Sequence, residues 1–321
     1  MKDKYDLIAL GEMLIDLTPD GQSDQGTPRM IANPGGAPAN VLSQAALLGA
    51  STAMIGKVGN DGFGRLLLDT LRKIGVDNCG VHIDPAIPTT LAVVSLDTKG
   101  DRSFSFYRKP GADIRLTEAD IDKDLLRRGT VFHFGSVSLT DEPVRSATLA
   151  AARIAHDYGC VVSFDPNYRP LLWNDLKEAR QWIWEGLRMA DIVKISDEEL
   201  VLITGSENWK SGAEELLDVG AKLVLVSMGG GGAGFMTRGA HGVVPAFNVQ
   251  AVDTTGAGDS FMGTMLYQLK DYSLDEISQL RYETLYGMVR AANAAGALTV
   301  TGKGAIASMK SWKEILELIE T

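Results

Sequence analysis

The chain has 321 residues, 45% of them hydrophobic and 22% charged, with a formal net charge of −10. That supplies apolar residues for a large core and too little charge for disorder, and the acidic balance excludes a nucleic-acid surface, which relies on Lys and Arg to neutralise phosphates. Glycine is in excess, at 35 residues against a usual ~7%, so glycine clusters mark places where backbone can come close to a ligand.

In chain order, Tyr5 to Leu10 reads as a buried strand running into Gly11. Ala39 to Leu48 is helix-like, Thr52 to Val58 a strand, and Gly64 to Ile74 a helix whose apolar face is Leu66, Leu67, Leu71 and Ile74. Alternation resumes with a strand over Thr130–Gly135, a helix over Pro143–Tyr158, a strand over Cys160–Phe164 and a helix over Leu176–Met189. Asp191–Ile195, Ala213–Val219 and Leu223–Val226 continue it. The fold class expected is α/β: a doubly wound, mainly parallel sheet with helices on both faces. Two stretches break the rhythm. Thr89–Leu96 and Ser103–Arg108 are strands joined by a polar turn over Asp97–Arg102, and residues 12–34 have no helical period. Both are read as a small β-rich lid, formed by segments about 12–34 and 88–112, on a single domain spanning 1–321.

Cys79 and Cys160 form no CxxC pair and are read as buried, reduced thiols, which fits a cytoplasmic setting. No stretch approaches the ~20 apolar residues of a membrane span, and the acidic N-terminus around Asp3, Asp6 and Glu12 does not read as a signal peptide. The histidines are scattered without metal-ligand spacing, and His133, within Val131–Phe134, is read as a packed strand residue.

The densest chemical signal is Asp253-Thr254-Thr255-Gly256-Ala257-Gly258-Asp259, which leads into a helix marked by Phe261, Met265 and Leu269. Small residues at a helix N-terminus leave N–H groups bare, and the helix dipole favours an anion there. With Asp259 as a base on an attacking hydroxyl, the segment would make a complete phosphoryl-transfer site; it could equally be a tight turn with an N-cap. A second cluster, Gly35-Gly36-Ala37-Pro38-Ala39-Asn40, together with Asp16, offers a carboxylate and an amide suited to vicinal sugar hydroxyls. Gly229 to Gly234 formally satisfies G-x-G-x-x-G, but the strand-like Phe235–Arg238 that follows argues for a strand-to-strand turn on which a nucleotide can lie. No Walker motif exists, since Gly56-Lys57 and Gly302-Lys303 lack the following Ser or Thr. Arg108, Asp165 to Arg169 and Ser196 to Glu199 sit at strand or lid ends, where ligand groups or ordinary polar turns are both expected.

Together these motifs resemble the ribokinase-like carbohydrate kinases, and within them the fructokinases, over essentially the whole chain. The resemblance is carried by Gly35 to Asn40, Gly56 to Gly64 and Asp253 to Asp259, and its fructokinase character by Ser103 to Arg108 and Asp165 to Trp173. It implies ATP-dependent phosphorylation of the 6-hydroxyl of D-fructose, with Mg²⁺ and in many members K⁺. Asp259 matches the base, and Gly256, Ala257 and Gly258 the anion hole. Asp16, Gly35, Gly36 and Asn40 match sugar contacts, with Arg108, Asn167 and Arg169 as further ones. Ser227, Gly229, Gly232 and Asn293 match the nucleotide site. Glu199 matches the Mg²⁺–phosphate network, and Asp253 with the Thr255 carbonyl the monovalent-cation site. Ser196 departs from the family's Asn-x-x-Glu, and Ala37 replaces the lysine of typical ribokinases, which argues against ribose. Aminoimidazole riboside kinase and 2-keto-3-deoxygluconate kinase share these motifs; a nicotinamide-dependent dehydrogenase or a non-catalytic sugar sensor would be the readings outside the kinases. The implied partners are a sugar and ATP, with no nucleic acid and no membrane, and a lid of this kind can pair with its twin in a homodimer.

Overall fold

The computed structural model describes residues 4–96 and 102–321. The large sheet is built from β1 (Tyr5–Leu10), β4 (Thr52–Gly59), β5 (Val76–Asp84), β8 (Gly129–Gly135), β9 (Val161–Asp165), β10 (Ile192–Ser196), β11 (Leu223–Ser227), β12 (Ala233–Met236) and β13 (His241–Val244). The lid sheet is β2 (Leu14–Gln22), β3 (Pro28–Gly35), β6 (Leu91–Leu96) and β7 (Arg102–Tyr107). The longer helices are α1 (Ala37–Leu47), α2 (Gly62–Ile74), α4 (Val144–Asp157), α5 (Leu176–Met189), α6 (Asp197–Thr204), α7 (Trp209–Asp218), α8 (Ala257–Leu269), α10 (Tyr282–Thr299) and α12 (Trp312–Glu320). Short helices are α3 (Lys123–Leu126), α9 (Leu274–Ser278) and α11 (Ala305–Ser308).

The nine-stranded sheet has the order β13-β12-β11-β10-β9-β8-β1-β4-β5. Pairing is parallel from β5 to β11, and the edge strands β12 and β13 run antiparallel. Alternate residues of each parallel strand feed two cores, one on each face. Phe132 and Phe134 of β8, Phe164 of β9 and Ile195 of β10 pack with α4 and α5 through Ala151 and Ile183. Val131, Val161 and Ile192 face the other way, toward Met262 and Leu266 of α8 and Val289 of α10. Burial on both faces explains why these strands read as apolar runs.

Strand order reverses at β1, with β4 on one side and β8 on the other. In open α/β sheets a crevice for ligands lies outside the strand C-termini at such a switch point. The lid starts there, since β2 follows β1 after three residues. Its order is β3-β2-β6-β7, with β2 and β6 parallel and the outer pairs antiparallel. The turn expected from Asp97 lies outside the described residues.

Some details differ from the sequence reading. Leu66 is more than a third exposed, so the buried stripe of α2 is Leu67 and Leu71. Cys79 is exposed on the edge strand β5, and only Cys160 is a buried thiol. His133 is packed, hydrogen-bonded through Nδ1 with Ser163 Oγ at 3.0 Å, and burial pushes its pKa down to about 3. The glycines at 229–231 form a single 3-10 turn between β11 and β12, so no helix opens there and the dinucleotide fingerprint fails.

Arg108 joins lid to body. It is 2% exposed, and its Nε donates to Asp113 at 2.7 Å. Its Nη1 donates to Thr140 Oγ1 at 2.6 Å and its Nη2 to the Val137 carbonyl at 3.0 Å. Removing one partner of a buried pair leaves the other charge uncompensated, typically at about 3–5 kcal/mol. Arg108→Met is therefore expected to destabilise the protein by that order in urea unfolding. A loss below about 1 kcal/mol would show that the clamp does not hold the lid.

Candidate active site

Two cavities open above the strand C-termini, of about 570 and 560 Å³, and both are lined by Thr254 and Gly258. The first is also bounded by Glu12, Asp16, Gly36, Asn40, Arg108, Asn167, Arg169, Lys194, Glu199, Gly256 and Asp259. The second is bounded by Ser227, Gly229, Gly232, Phe247, Ala257, Phe261 and Asn293, among others. The segment 254–258 is thus a shared wall, and Asp259 stands on the side of the first cavity.

The shared wall is the first turn of α8. Its N-cap, Gly256, has φ of 81°, a left-handed conformation open to glycine, and the helix runs from Ala257 with Asp259 in its first turn. Most of the orphan N–H groups of such a turn have no intrahelical partner, and they favour an anion. Asp253 anchors the turn from below: its Oδ1 accepts from the Thr255 amide and hydroxyl, and its Oδ2 accepts from the Gly304 amide at 3.0 Å.

Asp259 is 9% exposed, and Asn40 Nδ2 donates to its Oδ2 at 2.8 Å across 219 residues of sequence. Burial raises its pKa above the ordinary carboxylate range, while the Asn40 hydrogen bond and the Lys194 charge pull it back. Asp16 on β2 is raised to about 7 by burial, opposed by Arg169 and reinforced by Asp259 and Asp253. Gly35 stands directly behind it: a Cβ at 35 would lie 2.6 Å from Asp16 Oδ2. Gly35 and Asp253 therefore line neither cavity; both act from behind the wall.

At the ends of β9 and β10 the residues are tied together. Asp165 Oδ1 accepts the Asn167 amide at 3.1 Å, and its Oδ2 takes Lys194 Nζ at 2.8 Å. Asn167 has φ of 43°, a left-handed geometry that Asn tolerates among non-glycine residues. Ser196 is the N-cap of α6 and forms a capping box with Glu199. Glu199 Oε1 also accepts the Tyr168 amide at 2.6 Å. Two charged residues that the motifs did not single out complete the site. Glu12 follows the Gly11 that ends β1, and Lys194 is a charge inside the apolar run of β10; each position was a readable signal.

The donor sets fit the groups the motifs imply. A Cβ on Gly229 or Gly230 would meet no protein atom within 4 Å, so bare backbone faces the second cavity where a nucleotide can lie. Asn293 of α10 is fixed there by donating Nδ2 to the Val244 carbonyl at 3.0 Å. Among the described residues no group of three or more His, Cys, Asp or Glu could hold a metal. Mg²⁺ usually keeps several waters and leans on substrate phosphates plus one or two carboxylates, and Glu199, which lines the first cavity, is the carboxylate the motifs imply for it. The Asp253 carboxylate supplies hard oxygens of the kind a monovalent cation takes, and in this structure they accept the Thr255 and Gly304 hydrogen bonds.

Residues 4–312 match the pfkB family carbohydrate kinases. The chain belongs to the pfkB family of carbohydrate kinases. It is 44% identical over 318 residues to fructokinase-1 of Zea mays, covering 98% of this chain and 97% of that one. Its fold superposes on the crystal structure of a Xylella fastidiosa fructokinase with bound ATP at a TM-score of 0.91, with 35% identity and 98% of each chain covered. A fructokinase double mutant from Vibrio cholerae O395, in a form with fructose, ADP and potassium ion, matches at 0.87 with 36% identity over 99% of each chain. Membership of that family makes the chain a phosphotransferase acting on a carbohydrate.

Glu12 supplies a pH test of the geometry. It is 4% exposed, its Oε1 accepts the Ala37 amide at 2.9 Å, and its Oε2 has no hydrogen-bond partner among the described residues. Burial raises its pKa to about 7. The folded state therefore binds its proton more tightly than the unfolded one, so the stability it contributes is present below about pH 4.5 and lost as pH rises through about 7. The unliganded protein is expected to lose stability from pH 5 to 7.5, and Glu12→Gln to flatten that slope. An unchanged slope in urea titrations of the variant would contradict the assignment.

Proposed function

We propose that the protein transfers the γ-phosphoryl group of ATP to the 6-hydroxyl of D-fructose, giving fructose 6-phosphate and ADP. The carrying observation is the shared wall: Gly258 lines both cavities, Gly256 the first and Ala257 the second, and Asp259, held by Asn40, adjoins them on the first. Fructose occupies the first cavity, where Asp16 and Asn40 take hydroxyls in pairs and Gly36 lets the ring approach the backbone. Asn167 and Arg169 close the far side. Arg108 lines the same cavity, but its guanidinium is held by Asp113 and Thr140, so it shapes the sugar site through the lid.

ATP lies on the turn at Ser227, Gly229 and Gly232 with Asn293 beside it, and its terminal phosphate reaches the α8 N-terminus. Glu199 would help hold Mg²⁺, which would supply neutralisation of the phosphate charge. Asp253 and the Thr255 carbonyl would hold K⁺, whose charge would help fix the loop that carries the anion hole. A carboxylate cannot fully ionise an alcohol in advance. Asp259 instead accepts the hydroxyl proton as the oxygen–phosphorus bond forms, while the backbone amides hold the charge growing on the phosphoryl oxygens. The lid limits water, which would otherwise accept the phosphoryl group in place of the sugar. Ala37, in place of a lysine, leaves the sugar site open for a ketohexose.

A coupled ADP-release assay over fructose, ribose, aminoimidazole riboside and 2-keto-3-deoxygluconate is expected to give the highest kcat/KM on fructose. General-base help is typically worth ~10²–10⁴-fold, so Asp259→Asn should lose at least that much kcat while still binding fructose in calorimetry. Near-normal turnover by that variant would refute the mechanism, and a preference for a riboside would refute the substrate.

A further inference from the structure

The first cavity is rich in acid, yet it must take a transferring phosphoryl group. Glu12, Asp16, Glu199 and Asp259 all line it, against three cations: Arg108, Arg169 and Lys194. Arg108 is engaged by Asp113, Thr140 and the Val137 carbonyl. Arg169 is exposed, and its Nη1 donates to the neighbouring Tyr168 carbonyl at 3.2 Å. Lys194 differs from both. Its side chain is 8% exposed and rises from the middle of β10 toward Gly258 in the first turn of α8. A Cβ at Gly258 would lie 2.9 Å from its Nζ, so the ammonium occupies the space beside the anion-hole residue that any side chain at 258 would fill.

One of the ammonium's three protons goes to Asp165 Oδ2 at 2.8 Å. Burial works against the charge of Lys194, but Asp165 of β9, Glu199 of α6 and Asp259 of α8 together raise its pKa, so the ammonium stays charged. His133 of β8, also under its influence, is neutral. Among the described residues the other two N–H groups of the ammonium take no hydrogen bond, and the group lies beside Gly258.

We propose that Lys194 is a catalytic residue, the side-chain arm of the anion hole, whose ammonium, braced by Asp165, binds an oxygen of the phosphoryl group in transit. The inference rests on the kinase reading. As the bond from the bridging oxygen to the γ-phosphorus breaks, ADP leaves with the electron pair, and the sugar oxygen bonds phosphorus. The hydroxyl proton passes to Asp259, and Lys194 keeps all its protons. A lysine also explains why this acidic cavity admits a phosphate at all: a fixed cation beside fixed amides needs no reorganisation when charge develops. Gly258 then has two reasons to lack a side chain, the bare amide above and the ammonium beside it.

The test is steady-state kinetics on Lys194→Met and on the double variant Asp165→Asn/Lys194→Met, with thermal melts of both. The single variant strands a buried carboxylate and is expected to melt lower; the double variant removes both charges and should recover stability. Both should lose at least about 10²-fold in kcat, the scale of removing one oxyanion donor, with the KM for fructose changed less than about threefold. Recovery of kcat by the double variant to within tenfold of the wild type would reduce Lys194 to half of a structural ion pair and overturn the proposal. A wild-type protein with no kinase turnover would instead refute the underlying reading.

Discussion

The hydrogen bond from Asn40 to Asp259 is the constraint around which this molecule is arranged. It joins α1, which follows the lid, to α8, whose first turn is the proposed anion hole, across most of the sequence. A carboxylate that is to act as a base must be buried enough to exclude water and still ionise. Burial alone would neutralise it. Asn40, the α8 N-terminus and the nearby Lys194 charge provide the compensation, and each comes from a different element. The nine-stranded sheet holds those elements in register, because its strand order reverses at β1 and leaves a crevice beside it.

The same balance recurs among the neighbours. Asp16 and Glu12 are also acids raised by burial, and Asp165 is paired with Lys194. A site with this much carboxylate favours a polyol and disfavours a free anion. On the proposed reading, phosphate is held where the α8 amides, Mg²⁺ and one lysine are concentrated. The net charge of −10 is thus compatible with a phosphorylated ligand: the attraction is local, in backbone and one fixed cation, and the excess glycine supplies that backbone at Gly256, Gly258 and Gly229.

Much of this was readable from residues. Long, doubly buried strands such as Tyr5–Leu10 announce themselves as apolar runs, and amphipathic helices such as Leu176–Met189 by their period. The motif at 253–259 reads as a helix N-terminus because small residues precede Phe261, Met265 and Leu269. β5 was not legible: Val76-Asp77-Asn78-Cys79-Gly80 is a partly exposed edge, and its polar and glycine residues hide the strand. The same exposure explains Cys79. α10 was hidden for the opposite reason, since its small residues, Ala291 to Gly296, give little contrast between faces while packing on α8. For the site, the motifs named Gly35, Asp253 and Arg108 as ligand contacts, but not the way they act on their neighbours. Gly35 backing Asp16, Asp253 tying the loop to Gly304 and Arg108 clamping the lid depend on contacts between distant segments, which only the folded chain displays.

The most direct test of the central claim is a crystal structure with fructose and a non-hydrolysable ATP analogue bound together. The account predicts the fructose 6-hydroxyl within hydrogen-bonding distance of the Asp259 carboxylate, with the terminal phosphate on the amides of 256–258. A complex in which another hydroxyl faces Asp259, or the phosphate lies away from the α8 N-terminus, would contradict it.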